Sequence, residues 1–215
     1  VLHGFVRPPE TPSAKLQQLL KSDAQIIDTR PAAAHAEGHV PGTLSIPLNK
    51  SFTSWAGWLL SYDRDIYLLL DDKAGEKALD EAIRDLAMIG FDRVTGVFPS
   101  GVIEHWTREG GRLETTTQVS TDELSKGLGE VTVVDVRALS EWEAGHIPGA
   151  LHIPLGHLAD RIREIPADRP VVMQCQGGGR SAIAASVAQK LGRKDVSNLT
   201  GGYGAWDAAG NTTQR

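Results

Sequence analysis

Residues 175–181 read CQGGGRS, and Cys175 is the sole cysteine of the chain. Apolar residues 170–174 (PVVMQ) precede it, and a helical pattern follows it. Three consecutive glycines let backbone amides turn inward without Cβ clashes. Amides from Gln176, Gly177, Gly178, Gly179, Arg180 and Ser181 are therefore expected to form an anion-binding nest around the cysteine sulfur. The positive end of the following helix points to the same place, and Arg180 adds a full charge. Each effect favours a thiolate over a thiol, which makes Cys175 the candidate nucleophile. Arg180 closes a Cys-x4-Arg ring, one residue shorter than the Cys-x5-Arg ring of phosphate-transferring cysteine enzymes. The tighter ring suits one extra sulfur atom, so the expected intermediate is an anionic persulfide held as in an oxyanion hole.

The elements around this loop come from a module written twice. Residues 28–48 (DTRPAAAHAEGHVPGTLSIPL) and 135–155 (DVRALSEWEAGHIPGALHIPL) share ten identities in 21 positions without a gap. Downstream, residues 66–70 (IYLLL) face 170–174, and Trp106 and Trp206 close the two copies. Two domains follow, residues 8–110 and 117–215, with the Gly- and Thr-rich residues 109–118 as linker. In the second copy, strands are expected at 131–136, 150–153, 171–174 and 196–199. Helices are expected at 120–126, 139–143, 156–162, 181–191 and 203–209, with Ile183, Val187 and Leu191 forming an apolar stripe. Such alternation implies an α/β fold with a mainly parallel central sheet flanked by helices, and ligands bind beyond the carboxyl ends of its strands.

The first copy carries Asp71 and Glu76 where the second has Cys175 and Arg180, and Lys73 and Ala74 replace two glycines. A carboxylate cannot carry a persulfide, and two acids repel sulfur anions. The first domain is thus read as non-catalytic, serving to shape the site, dock a partner or simply bury surface. His39 and His146, each in a His-x-Pro-Gly turn, are expected to be structural. Asp28/Arg30 and Asp135/Arg137 are expected ion pairs, with Arg137 also near enough to the site to bind substrate. Trp55 and Trp58 are expected in the core or between domains, or in recognition of a thiol. His152 and His157 fit no pattern, and no cluster has metal-ligand spacing.

Together, Asp135-Val-Arg137, Glu143-Ala-Gly-His146-Ile-Pro-Gly149, the 175–181 loop and Gly201-Gly202-Tyr203…Trp206 resemble the rhodanese sulfurtransferases. The first copy is similar in residues 28–30 and 38–42. The resemblance implies two tandem rhodanese-like α/β domains, a persulfide on Cys175, and no metal or organic cofactor. Residues 49–58 (NKSFTSWAGW) and the tandem arrangement look like the rhodanese modules that follow a metallo-β-lactamase-fold persulfide dioxygenase in bacterial fusions. A persulfide dioxygenase, fused or separate, is then an expected partner, and a start at Val1 fits a fragment of a longer chain. The dioxygenase's own His-x-His-x-Asp-His run is absent here.

The leading reading is a transferase moving sulfane sulfur from thiosulfate or a low-molecular-weight persulfide, such as glutathione persulfide, to a thiol or cyanide-like acceptor. A cysteine phosphatase or arsenate reductase remains open, with loop length against it. A non-enzymatic docking or regulatory module also remains open, with the intact Cys175 loop against it. The 215 residues carry 22 basic and 27 acidic side chains, and the resulting net charge of −5 argues against a nucleic-acid groove. One cysteine excludes an intramolecular disulfide and a cysteine-rich zinc site. No run approaches the ~20 apolar residues of a membrane helix, and no signal-peptide pattern opens the chain, so a cytoplasmic location away from membranes is expected.

Overall fold

The computed structural model describes residues 6–71, 75–99 and 101–215. Internal contacts divide the chain into two units, Val1–Glu114 and Thr115–Arg215. In the first, strands β1 (Gln25–Asp28), β2 (Leu44–Ser45), β3 (Ile66–Leu69) and β4 (Val94–Phe98) form a parallel sheet in the order β2-β1-β3-β4. Its helices are α1 (Leu16–Leu20), α2 (Ala32–Glu37), α3 (Phe52–Leu59), α4 (Gly75–Met88) and α5 (Val102–Arg108). In the second, β5 (Thr117–Val119), β6 (Thr132–Asp135), β7 (Leu151–His152), β8 (Val171–Gln174) and β9 (Val196–Leu199) pair in parallel in the order β5-β9-β8-β6-β7. Its helices are α6 (Thr121–Gly127), α7 (Leu139–Ala144), α8 (Leu158–Arg161), α9 (Gly179–Lys190) and α10 (Gly202–Ala208).

Parallel strands covered by helices on both faces read as continuous apolar runs. The β8 segment VVMQ is buried throughout, and Val133 and Val134 of β6 are buried beside it. Helix α6 starts on a capping box: Glu123 N–H donates to Ser120 Oγ at 3.2 Å, and Ser120 N–H donates to Glu123 Oε2 at 2.8 Å. Three expectations change. Helix α9 ends at Lys190, so Leu191 is 47% exposed instead of completing the stripe of Ile183 and Val187. The helix is held by small residues as well, Ala184, Ala185, Ser186 and Ala188 all being buried. On α3, Phe52 and Ala56 face the core, which leaves Trp55 half-buried and Trp58 58% exposed on the flank.

The third change concerns the expected linker at 109–118. Its first part closes the first unit: Trp106 Nε1–H donates to the Arg112 carbonyl at 3.1 Å, and Glu114 and His39 exchange backbone hydrogen bonds at 2.9 Å. The second unit closes in the same way. Trp206 Nε1–H donates to Thr212 O at 2.9 Å, and His146 and Gln214 exchange bonds at 2.8 and 2.9 Å. Thr117 and Gln118 already belong to β5.

Both His-x-Pro-Gly histidines are structural. His39 Nδ1–H donates to His35 O at 2.9 Å, and His146 Nδ1–H donates to Trp142 O at 3.1 Å. Each ring stacks on its helical neighbour, His35 at 3.8 Å and Trp142 at 3.6 Å between centroids. Burial, reinforced by nearby positive charge, pulls His35 down to about 2, and burial also lowers His39.

Beside each of these turns lies a buried clip. In the second unit, Arg137 Nε–H donates to both oxygens of Asp135 at 3.0 Å, and Nη2–H donates to Asp135 Oδ2 and Gly145 O at 2.7 Å each. Arg30, Asp28 and Gly38 O repeat the arrangement at 2.6–3.1 Å. Arg137 is 1% exposed, so removing its partner strands a buried charge. Asp135→Ala is expected to destabilise the second unit by about 3–5 kcal/mol, read from chemical denaturation of the full chain. Asp28→Ala should cost less, because Arg30 is more exposed. A loss under about 1 kcal/mol for Asp135→Ala would contradict the role given to the clip.

Candidate active site

Cys175 directly follows β8 and is 1% exposed as a free thiol. The chain then turns through Gln176 and Gly177, which are exposed, to Gly178 at φ +93. That left-handed conformation suits glycine and makes Gly178 the N-cap of α9. It places the Gly178 N–H 3.2 Å from Sγ, donating to it. Ser181, on the first turn of α9, aims its hydroxyl at the same sulfur from 3.4 Å. The first turn of a helix has amides without intrahelical acceptors, so polarity at this spot favours negative charge.

A second backbone contact fixes the loop. Tyr203 N–H donates to Cys175 O at 2.7 Å, and Gly204 N–H donates to Gln176 O at 3.0 Å. In a trans peptide, C=O and N–H point in opposite directions, so anchoring these carbonyls on α10 turns the next amides away from α10. Gly202, at φ +57, lies so close that a Cβ there would collide with the Cys175 carbonyl oxygen. This explains the Gly201-Gly202-Tyr203 motif, whose role the sequence did not reveal.

Arg180 is engaged differently from the expectation of a bare charge on the sulfur. Its Nη1–H and Nη2–H donate to Glu141 Oε2 and Oε1 at 2.6 and 2.7 Å. This two-pronged bond raises the guanidinium pKa first, with a smaller contribution from nearby Cys175. Glu141, on α7, is held below the usual carboxylate range chiefly by Arg180, and it also accepts from Ala138 N–H. Glu141 was not singled out in the sequence. The signal was there, however: the first copy has Ala34 at its place and Glu76 at that of Arg180, so both partners changed together.

Among the expected substrate-binding residues, Gly178 and Ser181 meet at Sγ and Arg180 stands beside it. Gln176, Gly177 and Gly179 form the exposed rim. Arg137 spends its Nε and Nη2 donors on the clip, sends Nη1–H to Gln176 Oε1 at 3.3 Å, and lies 4.2 Å over the Tyr203 ring. It therefore braces the loop from behind. His152, which fitted no pattern, donates from Nε2–H to Arg137 O at 2.9 Å and stacks on Trp142. His157 is exposed.

In the first unit, Asp71 is half-buried just after β3, and Glu76 is exposed and pairs with Arg7 at 3.4 Å. Lys73 and Ala74, expected to break the nest there, lie outside the described residues. Among the described residues no group of three or more His, Cys, Asp or Glu could hold a metal ion, and no helix is long and apolar enough to cross a membrane.

Gly202→Ala is expected to displace Cys175 O and lower activity at least tenfold with the fold retained, since positive φ and a backbone collision combine there. Reaction of Cys175 with a small alkylating reagent checks the displacement; an unchanged rate would refute it. For Glu141, a depressed carboxylate pKa means that its pairing stabilises the fold above the unfolded value and fades as pH falls through the folded one. Glu141→Gln should therefore cost about 0.5–1 kcal/mol at pH 7 and progressively less below about pH 4, measured by denaturation across pH.

A model of the family described as rhodanese-like domain matches residues 13–101 and again 120–209. The uncharacterized protein YqhL of Bacillus subtilis is 40% identical over 88 residues, which span 41% of this chain and 70% of that protein. A sulfurtransferase of Allochromatium vinosum is 38% identical over 92 residues, 41% of this chain and 86% of its own length. Among solved structures, a rhodanese-related protein from Thermoplasma volcanium aligns with a TM-score of 0.44 at 26% identity, covering 46% of this chain and 97% of its own. With two matched copies spanning most of its length, and a parallel α/β sheet in each, the chain belongs to the rhodanese-like domain family.

Proposed function

We propose that the second unit, residues 117–215, is a sulfurtransferase working through a persulfide on Cys175. The observation that carries this reading is the sulfur itself, set at the start of α9 with Gly178 N–H and Ser181 Oγ–H donating to it. The Cys175 thiolate attacks the outer sulfur of thiosulfate or of a low-molecular-weight persulfide such as glutathione persulfide. The new Sγ–S bond forms as the donor's S–S bond breaks, and sulfite or a thiolate leaves with the electron pair. The persulfide anion is then stabilised by loop donors and the start of α9. A thiolate or cyanide takes the outer sulfur, and Cys175 returns as thiolate. No metal or organic cofactor is needed for this exchange.

The first unit, residues 8–110, is proposed to be non-catalytic, because Asp71 offers no sulfur nucleophile. A cytoplasmic setting suits a lone thiol that must stay reduced. The resemblance of the tandem arrangement to dioxygenase fusions makes a persulfide dioxygenase, fused or separate, the proposed protein partner.

Thiosulfate alone should add about 32 Da to the full chain, one sulfur atom on a covalent intermediate, and cyanide should then remove it. Intact-mass spectrometry reads both steps. Absence of the adduct in wild type, or its persistence in Cys175→Ser, would sink the proposal.

A further inference from the structure

Within the first unit, a cleft of about 570 Å³ runs between the 3-10 turn Ser13–Lys15 and the end of α5. Its volume is well within the ~300–1,000 Å³ of small-molecule sites. Leu16 and Trp106, which pack on one core cluster, give it an apolar base. Ser13, Gln17, His105 and Glu109 supply the polar part of the lining. We infer that this cleft is a binding site for a small organic cation, an ammonium or guanidinium compound with an apolar body. The inference concerns the first unit alone and does not rest on the sulfurtransferase reading of the second.

Three features of the lining favour positive charge. Glu109 is its one carboxylate and makes no ion pair among the described residues. The adjacent Arg108 is turned to the Glu104 carbonyl, to which its Nε–H donates at 3.4 Å. Trp106 lies three residues before Glu109, so the two side chains are neighbours around the end of the helix. An indole face attracts cations through its quadrupole. Helix α5 ends here, with Glu109 as its C-cap, and the C-terminal end of a helix carries partial negative charge. An anion would oppose Glu109, and a neutral molecule would gain from the apolar base alone.

The second unit shows which of these features the fold requires. With Trp106 and Trp206 in register, it has Ala205 for His105, Ala209 for Glu109 and Asn211 for Gly111. Trp206 is 2% exposed and shares a core cluster with Leu124 of α6, a helix that starts on a capping box. The first unit instead enters α1 through the single turn Ser13–Lys15, with no side-chain cap, and Trp106 is only half-buried. A Cβ at residue 111 would collide with the Trp106 indole, so glycine lets the chain return against the ring and adds no side chain to the cleft. Both indoles make the same bond to their closing tails. The partly open ring with a carboxylate beside it belongs to the first unit alone.

The test titrates the full chain with phenethylammonium, 2-phenylethanol and 3-phenylpropionate, which are a cation, a neutral molecule and an anion of similar size. The Trp106 indole N–H signal in NMR spectra reports occupancy of the cleft. Wild type is expected to bind the cation at least about fivefold more tightly than the alcohol, and to bind the anion most weakly. Glu109→Gln should cut the preference for the cation about threefold and leave alcohol binding unchanged. Glu109→Lys should transfer the preference to 3-phenylpropionate. Glu109 is exposed, and unchanged signals elsewhere verify that each variant keeps the fold. A Trp106 signal that stays still up to about 10 mM phenethylammonium overturns the inference. So do equal affinities for the three probes, or a preference for the cation that survives in both variants.

Discussion

A guanidinium withdrawn from water must have its N–H donors met by the protein, and Arg137 draws acceptors from three parts of the second unit and a ring against its face from a fourth. Asp135 ends β6, Gly145 supplies a carbonyl from the turn after α7, Gln176 belongs to the Cys175 loop, and the Tyr203 ring opens α10. Burying such a pair costs desolvation that its attraction only partly offsets, so its value lies in specificity of position more than in net stability. Moving Asp135 or the Gly145 carbonyl would leave a guanidinium donor unsatisfied in the interior. The loop that follows β8 is thereby referred to the same point as the strand beside it and the helix above it.

From that reference the sulfur's surroundings follow. Strand β8 delivers Cys175 to the carboxyl edge of the sheet, where parallel strands and helix starts leave open amides. Gly178 must adopt positive φ to begin α9 within so few residues, and its amide then reaches Sγ. The carbonyls that would oppose an anion are drawn off by Tyr203 and Gly204. Close backbone approach at Gly202 makes this possible, which is a packing demand rather than a chemical one.

Much of this was legible in the sequence because it is encoded locally. The 175–181 loop, the Asp-x-Arg spacing and the Pro-Gly turns each lie within a short stretch whose residue types restrict the backbone. The Arg180–Glu141 pair was not legible, because its partners are 39 positions apart and Arg180 already had an apparent purpose at the sulfur. The burial of α9 was understated for another reason: alanine and serine carry little hydrophobic signal, yet they let a helix approach a sheet closely. Residues 109–114 looked like a linker because Gly, Thr and charge dominate them. Their order comes from an indole N–H and a histidine backbone far back in the chain.

Two copies of one module in a single chain separate scaffold from site without outside comparison. The buried clip, the stacked His turn, the indole bond to the closing tail and the parallel sheet recur in both units, so each is a requirement of the fold. The Arg137–Asp135–Gly145 clip falls in this group, since Arg30, Asp28 and Gly38 repeat it in the unit that carries no cysteine. Among the positions that differ are those around the sulfur: Cys175 for Asp71, Arg180 for Glu76 and Glu141 for Ala34. These substitutions are scattered along the sequence, yet in the second unit they gather around a single loop. The contacts that hold the fold together are thus common to both copies, whereas the thiol of Cys175 and the Glu141–Arg180 pair belong to the second alone.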